Sequence, residues 1–445
     1  MLSKTMKGIL LILDGIGDLP NSLLAGKTPL EVADTPNLDF FASKSELGMM
    51  WPVRKEFIPE SDEAVVSIFG NELISSTRGQ LEARGAGIKL MRGDLALRVN
   101  FATIDSLDKG NIIDRRAGRT LTTEDAEILT KALAKGIKSP IKFEFKPTVQ
   151  HRAALVFRGG FSENISGNDF PHVQGEEKIF GKINLCEPLD DDENSQYTSN
   201  IVNEFIEKTY QILNNHPVNN ERRKKGLMPA NYLLIRGAGI EPPKLKQYKK
   251  WLSVCYMPLE IGFAEVSGMT NFSFPYPKLK SFDSYENLHE GLREACDFSI
   301  KTLKANTKKF NYAYIHIKET DVPGHDNKPL EKKLMLEEID RSLIKFLREF
   351  AQQNNVKIVI TGDHSTPCKL KSHSADLVPV LLFDPANEPS LGKSPLKKPS
   401  GKDEKNLREE NSEETKRKFC EREAINGSLG KFNGKELLEK VGFVR

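Results

Sequence analysis

Four short apolar runs constrain the fold most, because each one ends abruptly at polar or turn residues. Residues 9–13 form the first run, which stops at Asp14, and residues 312–317, 356–360 and 378–383 repeat the pattern near the C-terminus. Such runs are typical of strands that are buried on both faces of a parallel sheet. We therefore expect these four strands to be neighbours in one sheet, with Asp14 at the carboxyl end of the first.

The segment between the second and third runs predicts a helix. Residues 329–352 carry apolar side chains at roughly helical intervals with charged residues between them, which indicates an amphipathic crossover helix. A strand, a crossover helix and a second strand in this order indicate a parallel sheet. The middle of the chain differs, because residues 153–157 and 232–235 resemble strands and residues 198–213 resemble a helix. We interpret this region as a separate inserted domain.

The length of the chain also indicates more than one domain. A chain of 445 residues is too long for one ordinary core and suits two domains, or one α/β domain with an insertion. We predict an α/β core formed by residues 1–110 and 256–445, interrupted by a smaller α+β domain at residues 111–255. Residues 387–418 are dominated by Lys, Glu, Pro, Ser and Asn, which predicts a mobile surface loop.

The composition excludes some classes of protein. Charged residues make up 29% of the chain and the formal net charge is only +3, which gives no reason to expect a nucleic-acid partner. No apolar stretch approaches the roughly 20 residues of a membrane-spanning helix, so we expect no membrane partner. The five cysteines are scattered and show no CxxC spacing, which favours a reducing compartment. We therefore expect a cytoplasmic protein, and its oligomeric state stays open.

Carboxylate and imidazole side chains follow the predicted strands, at the edge where open α/β sheets bind their ligands. The candidates are Asp14, Asp321, His325, Asp363, His364 and His373. Mixed oxygen and nitrogen ligands favour Zn, Mn or Mg over metals that prefer soft ligands. Each residue taken alone is equally well explained as a turn residue or a structural histidine. Together they predict a site for two divalent ions, roughly 3.5 to 4 Å apart.

A nucleophile is expected outside this set, and Ser61 is the candidate. It lies in the sequence Pro-Glu-Ser-Asp-Glu-Ala at residues 59–64, where a loop passes into a predicted helix. A hydroxyl at the start of a helix can meet a metal ion and a phosphate together. The same context suits a serine that only caps the helix N-terminus, and the sequence leaves both readings open.

These residues lie in motifs that resemble a known family. Asp14-Gly15, Ser61-Asp62, the stretch Thr-Gly-Asp-His-Ser-Thr at residues 361–366 and His-Ser-Ala-Asp at residues 373–376 resemble the successive motifs of the alkaline phosphatase superfamily. Further stretches narrow the resemblance to the archaeal-type, cofactor-independent phosphoglycerate mutases, and they are residues 26–31, 35–39, 85–88, 100–103, 114–119, 216–219 and 222–226. The resemblance covers nearly the whole chain and implies an alkaline phosphatase-like three-layer α/β core with a mainly parallel sheet.

The resemblance implies an isomerase that interconverts 3-phosphoglycerate and 2-phosphoglycerate. It implies that Ser61 takes the phosphate from one hydroxyl, holds it while glycerate reorients, and returns it to the other hydroxyl, so that no bisphosphoglycerate is needed. It also implies two divalent ions, which could be Mn, Mg, Zn or Co. One ion would be bound by Asp14, Ser61, Asp363 and His364, and the other by Asp321, His325 and His373.

Further roles follow from the same resemblance and from the chemistry of the substrate. A phosphate and a carboxylate both match the two-pronged guanidinium group of arginine, and the candidates for substrate binding are Arg115, Arg119, Arg152, Arg222 and Arg236. Each of these arginines alone could equally be a solvated surface charge. Lys318 resembles the family's active-site lysine and could stabilise the transferring phosphoryl group. Asp114 could act as a general base.

Two other functions compete with the mutase interpretation. The chain could be a related phosphotransferase or phosphatase of the same superfamily, such as a homoserine kinase-like or phosphopentomutase-like enzyme, because the metal site is shared. It could also be a catalytically silent protein that retained the fold, because fold alone does not determine function. The complete set of predicted ligands argues against the second alternative.

Overall fold

The computed structural model describes residues 6–73, 78–169, 181–280, 283–387 and 417–444, and the backbone at 172–174 and 177–179. Apart from its ends, the predicted loop at residues 387–418 lies outside the described residues. None of the helices in these ranges is both long enough and apolar enough to span a membrane.

The strands and helices have the following bounds. The strands are β1 (Gly8–Leu13), β2 (Glu46–Trp51), β3 (Leu95–Ile104), β4 (Ile112–Asp114), β5 (Phe143–Pro147), β6 (Arg152–Phe157), β7 (His172–Gln174), β8 (Glu177–Ile179), β9 (Tyr232–Gly239), β10 (Trp251–Val254), β11 (Thr270–Phe272), β12 (Tyr312–Ile317), β13 (Lys357–Thr361), β14 (Val378–Phe383) and β15 (Gly430–Asn433). The helices are α1 (Pro29–Val32), α2 (Pro36–Ser43), α3 (Ser61–Ile68), α4 (Arg78–Gly85), α5 (Thr123–Gly136), α6 (Glu193–Asn214), α7 (Pro217–Lys224), α8 (Pro258–Val266), α9 (Ser284–Asn306), α10 (Asp321–His325), α11 (Pro329–Ile339), α12 (Lys345–Asn354), α13 (Glu421–Ala424) and α14 (Leu437–Lys440).

The chain divides into two compact units. The first comprises Met1–Glu72, Lys250–Val254 and Leu292–Arg445, and the second comprises Leu73–Lys249 and Cys255–Gly291. The second unit therefore extends beyond residues 111–255 on both sides. On the N-terminal side the reason is that β3, which precedes residue 111, pairs along its length with β6 and β9 of the same unit.

The first unit is built around a mainly parallel sheet. Its strands lie in the order β10-β12-β1-β13-β14-β2-β15. The central strand β1 pairs in parallel with β12 on one side and β13 on the other, whereas β14 runs antiparallel to β13 and β2. Every residue of β1 is buried, as expected of a strand covered on both faces. The prediction that these four apolar runs are neighbours in one sheet of an α/β core is confirmed.

The predicted crossover helix between β12 and β13 is interrupted. It consists of α11 and α12, joined by a π-helical segment at Asp340–Ile344. The carboxylate of Asp340 accepts hydrogen bonds from the backbone N–H groups of Asn37 and Leu38 at 3.2 and 2.7 Å. These are N–H groups of the first turn of α2, whose own N-cap residue makes no side-chain cap. The π-helical segment thus carries the cap of another helix.

The second unit is built on an antiparallel sheet. Strands β4, β3, β6 and β5 lie in that order and β9 also pairs with β3. Apolar side chains of this sheet pack against α5 and α6, and the ring of Phe205 on α6 meets Phe143 and Phe157 edge-on at centroid distances of 5.0 and 5.2 Å. Such pairs add stabilisation beyond the area that they bury. This unit has the α+β character predicted for the inserted domain.

Candidate active site

Three loops of the first unit bring the candidate ligands together. Asp14 follows β1, Asp321 begins α10 after β12, and Asp363 follows β13. Because β12 and β13 flank β1 in parallel, their carboxyl ends meet at one edge of the sheet. The loops are also joined directly, since the Thr320 hydroxyl donates to the Asp14 carbonyl at 2.6 Å and the Gly15 N–H donates to Asp363 Oδ1 at 3.1 Å.

The first group of candidate ligands is Asp14, Asp363 and His364. All three are buried, and their ligand atoms lie within 4.8 Å of one another. The Nε2 atom of His364 lies 3.2 Å from Asp14 Oδ1 and 3.5 Å from Asp363 Oδ2. Two carboxylates and an imidazole at this spacing form a donor set that suits a divalent cation.

The second group is Asp321, His325 and His373, whose ligand atoms also lie within 4.8 Å of one another. The Nε2 atom of His325 lies 3.3 Å from Asp321 Oδ2, and the Nε2 atom of His373 lies 3.8 Å from Asp321 Oδ1. This group is only partly buried. The structure therefore collects the six candidates into two sets of three.

Backbone carbonyls orient both histidines of the second group. The Nδ1 atom of His325 lies 3.1 Å from the Lys371 carbonyl oxygen, and that of His373 lies 2.8 Å from the Pro59 carbonyl oxygen. A carbonyl can only accept a hydrogen bond, so Nδ1 carries the proton in each ring. The Nε2 lone pairs are then left to face Asp321. Second partners of this kind hold metal-binding histidines in one tautomer and one orientation.

Ser61 lies beside the first group. Its Oγ atom is 3.2 Å from His364 Nε2, and the side chain is largely buried. Ser61 is the first residue of α3, and Glu60 occupies the N-cap position, where its backbone N–H donates to Glu63 Oε2 at 2.8 Å. Ser61 is therefore not the N-cap, and its hydroxyl faces the candidate ligands instead.

The electrostatics of the first group favour a bound cation. Burial raises the pKa of Asp14, but its ion pair with Lys318 and its contact with His364 together outweigh burial, and the pKa lies below the usual range. Burial and the neighbouring Asp14 raise the pKa of Asp363 to about 7. Burial lowers the pKa of His364, but Asp363 and Asp14 outweigh it and raise the pKa to about 9. These shifts show two buried carboxylates competing for nearby positive charge.

His316 is a residue of this group that the sequence did not single out. It lies on β12 and is fully buried, with Nε2 at 3.6 Å from Asp363 Oδ2 and 3.8 Å from Asp14 Oδ2. Tyr314 Oη lies 2.7 Å from its Nδ1 atom. Within the described residues, His316 Nε2 and Asp363 Oδ2 find no hydrogen-bond partner. A buried polar atom without a partner is costly, so these two atoms fit the presence of a cation between the carboxylates.

Two of the predicted substrate arginines share one carboxylate in the second unit. Arg115 Nη2 forms an ion pair and hydrogen bond with Asp169 Oδ1, and Arg236 Nε lies 3.7 Å from Asp169 Oδ2. Asp169 is almost fully buried. Burial raises its pKa, but Arg236 and Arg115 outweigh burial and lower it. No local pattern pointed to Asp169, because its partners lie more than 50 residues away.

Arg119 and Arg152 belong to a second cluster, around His151. The side chain of His151 is buried, and neither ring nitrogen has a hydrogen-bond partner in the part of the chain that the structure describes. Burial and the charges of Arg152, Arg116 and Arg119 hold the pKa of His151 well below its ordinary value. The imidazole is therefore neutral and surrounded by guanidinium groups.

Arg222 and Asp114 are engaged by the backbone. The Arg222 guanidinium is buried and donates to the carbonyls of Met228, Thr120 and Ala117 at 2.9, 2.9 and 3.2 Å, and to the Thr120 hydroxyl at 2.9 Å. Asp114 Oδ1 accepts from the N–H groups of Arg116 and Gly118 at 2.7 and 2.9 Å. Both side chains thus stabilise the turn that follows β4.

Comparisons with known proteins identify the family of this chain. A family model described as 2,3-bisphosphoglycerate-independent phosphoglycerate mutase matches residues 42–219. Relatives of that name from Pyrococcus furiosus and Thermococcus kodakarensis are each 37% identical to this chain, over 443 and 446 residues respectively, and each comparison covers 98% of this chain and 96% of the relative.

Two solved structures are similar over almost the whole chain. The PH0037 protein from Pyrococcus horikoshii is 28% identical with a TM-score of 0.70, over 99% of this chain and 98% of that one. The cofactor-independent phosphoglycerate mutase from Thermoplasma acidophilum is 27% identical with a TM-score of 0.53, over 99% of both chains. The family resemblance carried by the motifs is confirmed, and the chain belongs to the family of 2,3-bisphosphoglycerate-independent phosphoglycerate mutases.

Proposed function

We propose that this protein interconverts 3-phosphoglycerate and 2-phosphoglycerate without bisphosphoglycerate, by passing the phosphoryl group through Ser61. One observation carries the proposal: a buried serine hydroxyl lies 3.2 Å from His364 Nε2, within the group that also contains Asp14 and Asp363. The names of the relatives supply the reaction. A catalytically silent protein would have no need of a buried hydroxyl beside two buried carboxylates and a histidine.

We further propose two divalent ions, which could be Mn, Mg, Zn or Co. Asp14, Ser61, Asp363 and His364 would hold one ion, and Asp321, His325 and His373 would hold the other. The support is the two compact groups of ligand atoms and the unpaired buried atoms in the first group. Divalent ions bound there would stabilise negative charge on the transferring phosphoryl group and lower the pKa of the serine hydroxyl.

The proposed reaction consists of two phosphoryl transfers, one to Ser61 and one back to glycerate. Ser61 Oγ loses its proton and attacks phosphorus, the bond between phosphorus and the substrate oxygen breaks, and the leaving oxygen takes up a proton to give glycerate. The other hydroxyl of glycerate then loses its proton and attacks the phosphoserine, the bond between phosphorus and Ser61 Oγ breaks, and Ser61 Oγ takes up a proton. Lys318 is the candidate for stabilising charge during both steps. Asp114, held in one orientation by two backbone N–H groups, is the candidate proton carrier.

The substrate carries two negatively charged groups, a phosphate and a carboxylate. Four arginines are proposed to bind them. Arg115 and Arg236 are paired with buried Asp169, which limits the number of orientations that their guanidinium groups can adopt. Arg119 and Arg152 lie with the neutral imidazole of His151. Preorganised guanidinium groups bind carboxylates and phosphates with less loss of side-chain entropy. Arg222 is left out, because backbone carbonyls already engage its guanidinium.

The test is an assay of the purified, metal-loaded protein with 3-phosphoglycerate and no bisphosphoglycerate, in which coupled enolase absorbance reports 2-phosphoglycerate. We expect turnover by the wild type and none by Ser61→Ala. Ser67→Ala is the matched control, because Ser67 is a buried serine on the same helix, α3. Release of inorganic phosphate without mutase turnover would identify a phosphatase, and no turnover with Mn, Mg, Zn or Co would contradict the mutase proposal.

A further inference from the structure

Thr366 contacts both groups of candidate metal ligands. Its hydroxyl oxygen lies 2.7 Å from Asp321 Oδ1, in the second group, and 3.0 Å from His364 Nδ1, in the first. Thr366 lies only two residues after His364 and is fully buried. One hydroxyl therefore joins a carboxylate of one group to an imidazole of the other.

The surrounding loops leave room for Thr366 by placing glycine on two sides of it. A Cβ atom on Gly15, which has a φ of +61°, would lie 2.6 Å from Thr366 Oγ1. A Cβ atom on Gly324 would lie 2.4 Å from the Thr366 carbonyl oxygen. Gly15 directly follows Asp14 and Gly324 directly precedes His325. The backbone beside each of these two candidate ligands therefore approaches Thr366 too closely for any side chain larger than that of glycine.

A buried lysine fixes the backbone of Thr366. Lys332 Nζ donates to the Thr366 carbonyl at 3.1 Å, to the Gly17 carbonyl at 3.3 Å and to Asp18 Oδ2 at 2.8 Å. Gly17 and Asp18 belong to the loop after β1 that carries Asp14. Lys332 thus ties that loop to the loop carrying His364 and Thr366. The hydroxyl of Thr366 is held in place by the fold as well as by its own hydrogen bonds.

The protons in this chain of contacts can be assigned. The carboxylate of Asp321 can only accept, so the Thr366 hydroxyl donates its proton to Asp321 Oδ1. The Thr366 oxygen then accepts from His364 Nδ1–H, which leaves His364 Nε2 facing Asp14, Asp363 and Ser61. The histidines of the second group are oriented by carbonyls, which have no proton to pass on. The Thr366 hydroxyl thus orients His364 in the first group and at the same time restrains Asp321 in the second.

We propose that Thr366 is a positioning residue that couples divalent-ion binding at the two groups. The inference rests on the proposed function, in which both groups bind such ions. When His364 is fixed by coordination at Nε2, the hydrogen bonds through Thr366 also fix Asp321, and the reverse holds when Asp321 is fixed. Coupling of this kind must strengthen both binding events by the same factor. Partners behind metal ligands typically contribute roughly 10–100-fold in metal affinity.

Calorimetric titration of the metal-free protein with Mn²⁺ tests the proposal without any measurement of activity. We expect Thr366→Val to weaken binding at both groups by roughly 10–100-fold and Thr366→Ser, which keeps the hydroxyl, to restore most of the affinity. Thr361→Val is the matched control, because its buried hydroxyl donates to the Pro379 carbonyl instead. Circular dichroism of each variant distinguishes loss of a hydrogen bond from loss of the fold.

A double-mutant cycle measures the coupling itself. Asp321→Ala removes the second group, and Mn²⁺ binding at the first group is then compared with and without Thr366→Val. Because Thr366 would have lost its acceptor, we expect the substitution to cost less affinity in this background than in the wild type. Equal costs, or a loss confined to one group in Thr366→Val, would overturn the coupling. If the wild type bound no Mn²⁺, the proposed metal site itself would be wrong. If it bound Mn²⁺ but showed no coupling, only the role of Thr366 would be wrong.

Discussion

Ser61 Oγ and His364 Nε2 lie 3.2 Å apart, although 303 residues separate them in the chain. Two features of the fold produce this contact. The loop after β13 carries His364 at the carboxyl edge of the sheet, and α3 begins at Ser61, with the cap supplied by Glu60. The hydroxyl is thereby free of a capping role and lies beside the candidate ligands of the first group.

The first prediction concerns the phosphorylated intermediate. Protein that is mixed with 3-phosphoglycerate and quenched in acid should carry phosphate on the peptide containing Ser61, as measured by mass spectrometry. Ser61→Ala should carry none, and its kcat should fall on the order of 10⁵-fold, because removing a nucleophile removes the covalent route. Ser67→Ala should retain both the modification and most of the activity. Phosphate found on a different residue of the wild type would contradict the role given to Ser61.

Much of this site could be predicted because strand ends are visible in a sequence. Asp14, Asp321 and Asp363 each follow a buried apolar run, and parallel neighbours must bring such ends together. His316 could not be found in the same way. In a sequence, a histidine inside an apolar strand that packs in the core cannot be told from one that lies beside a metal site. The roles of Asp169 and Lys332 depend on partners far along the chain, and their spacing alone carries no such information.

The fold shows the same contrast between local and long-range information. Residues 329–352 have a helical pattern, but the helix is interrupted by a π-helical segment at Asp340–Ile344, where Asp340 caps α2, about 300 residues earlier in the chain. Likewise, β3 has the pattern of a buried strand, and its pairing with β6 and β9 places it in the second unit. Local periodicity predicts elements, whereas unit boundaries depend on which strands pair.

The second prediction concerns the pH dependence of metal binding at the first group. The folded pKa of His364, about 9, lies above its unfolded value near 6.5. Binding at Nε2 must displace this proton, so Mn²⁺ affinity should rise by up to about tenfold per pH unit between pH 6.5 and 8.5. Calorimetry in buffers of different ionisation enthalpy should also detect release of a proton. An affinity that is independent of pH over this range would contradict the prediction.

The same raised pKa has a consequence for the stability of the metal-free protein. A group with a raised folded pKa contributes stability that is present below its unfolded pKa and is lost as the pH rises through its folded pKa. For His364 this window runs from about pH 6.5 to 9. The melting temperature of the metal-free protein should therefore fall across this window. Excess Mn²⁺ should reverse much of the fall, because it replaces the lost positive charge.

The third prediction concerns the buried ion pair of Lys332 and Asp18. Both side chains are fully buried and their charged atoms lie 2.8 Å apart. Lys332→Met should lower the free energy of unfolding by about 3–5 kcal/mol, because it leaves Asp18 as an uncompensated buried charge. Tryptophan fluorescence during urea denaturation measures this directly, since Trp51 and Trp251 both belong to the first unit.

Two further variants separate the ion pair from general effects of substitution. Lys333→Met changes the neighbouring lysine, which pairs with Glu337 at 2.6 Å but is partly exposed, and it should cost less than about 1 kcal/mol. The double variant Asp18→Asn, Lys332→Met should recover part of the loss, because no unpaired charge then remains. The carboxylate of Asp18 also accepts from the backbone N–H of Cys368 at 3.1 Å. A double variant less stable than Lys332→Met would show that Asp18 contributes mainly through this backbone contact.

The fourth prediction distinguishes Arg222 from Arg236, both of which were predicted from the sequence to bind substrate. Arg222→Lys should lower the stability of the second unit by about 3 kcal/mol, because one ammonium group cannot satisfy the carbonyls of Ala117, Thr120 and Met228. Hydrogen exchange of the amides in α5 and β3 measures this loss. Arg236→Lys should instead lower kcat/KM for 3-phosphoglycerate by roughly 10–100-fold, which corresponds to one charged hydrogen bond.

The two substitutions are matched, since each keeps the positive charge and removes the guanidinium geometry. Arg236 lies 3.7 Å from Asp169, so the lysine introduced by Arg236→Lys would retain an ion pair while losing the planar fork that suits a carboxylate or phosphate. Arg222→Lys, assayed at a temperature where the fold is intact, should leave KM close to the wild-type value. If KM rose more in Arg222→Lys than in Arg236→Lys, the carbonyl contacts of Arg222 would not describe its role, and it would return to the set of substrate-binding arginines.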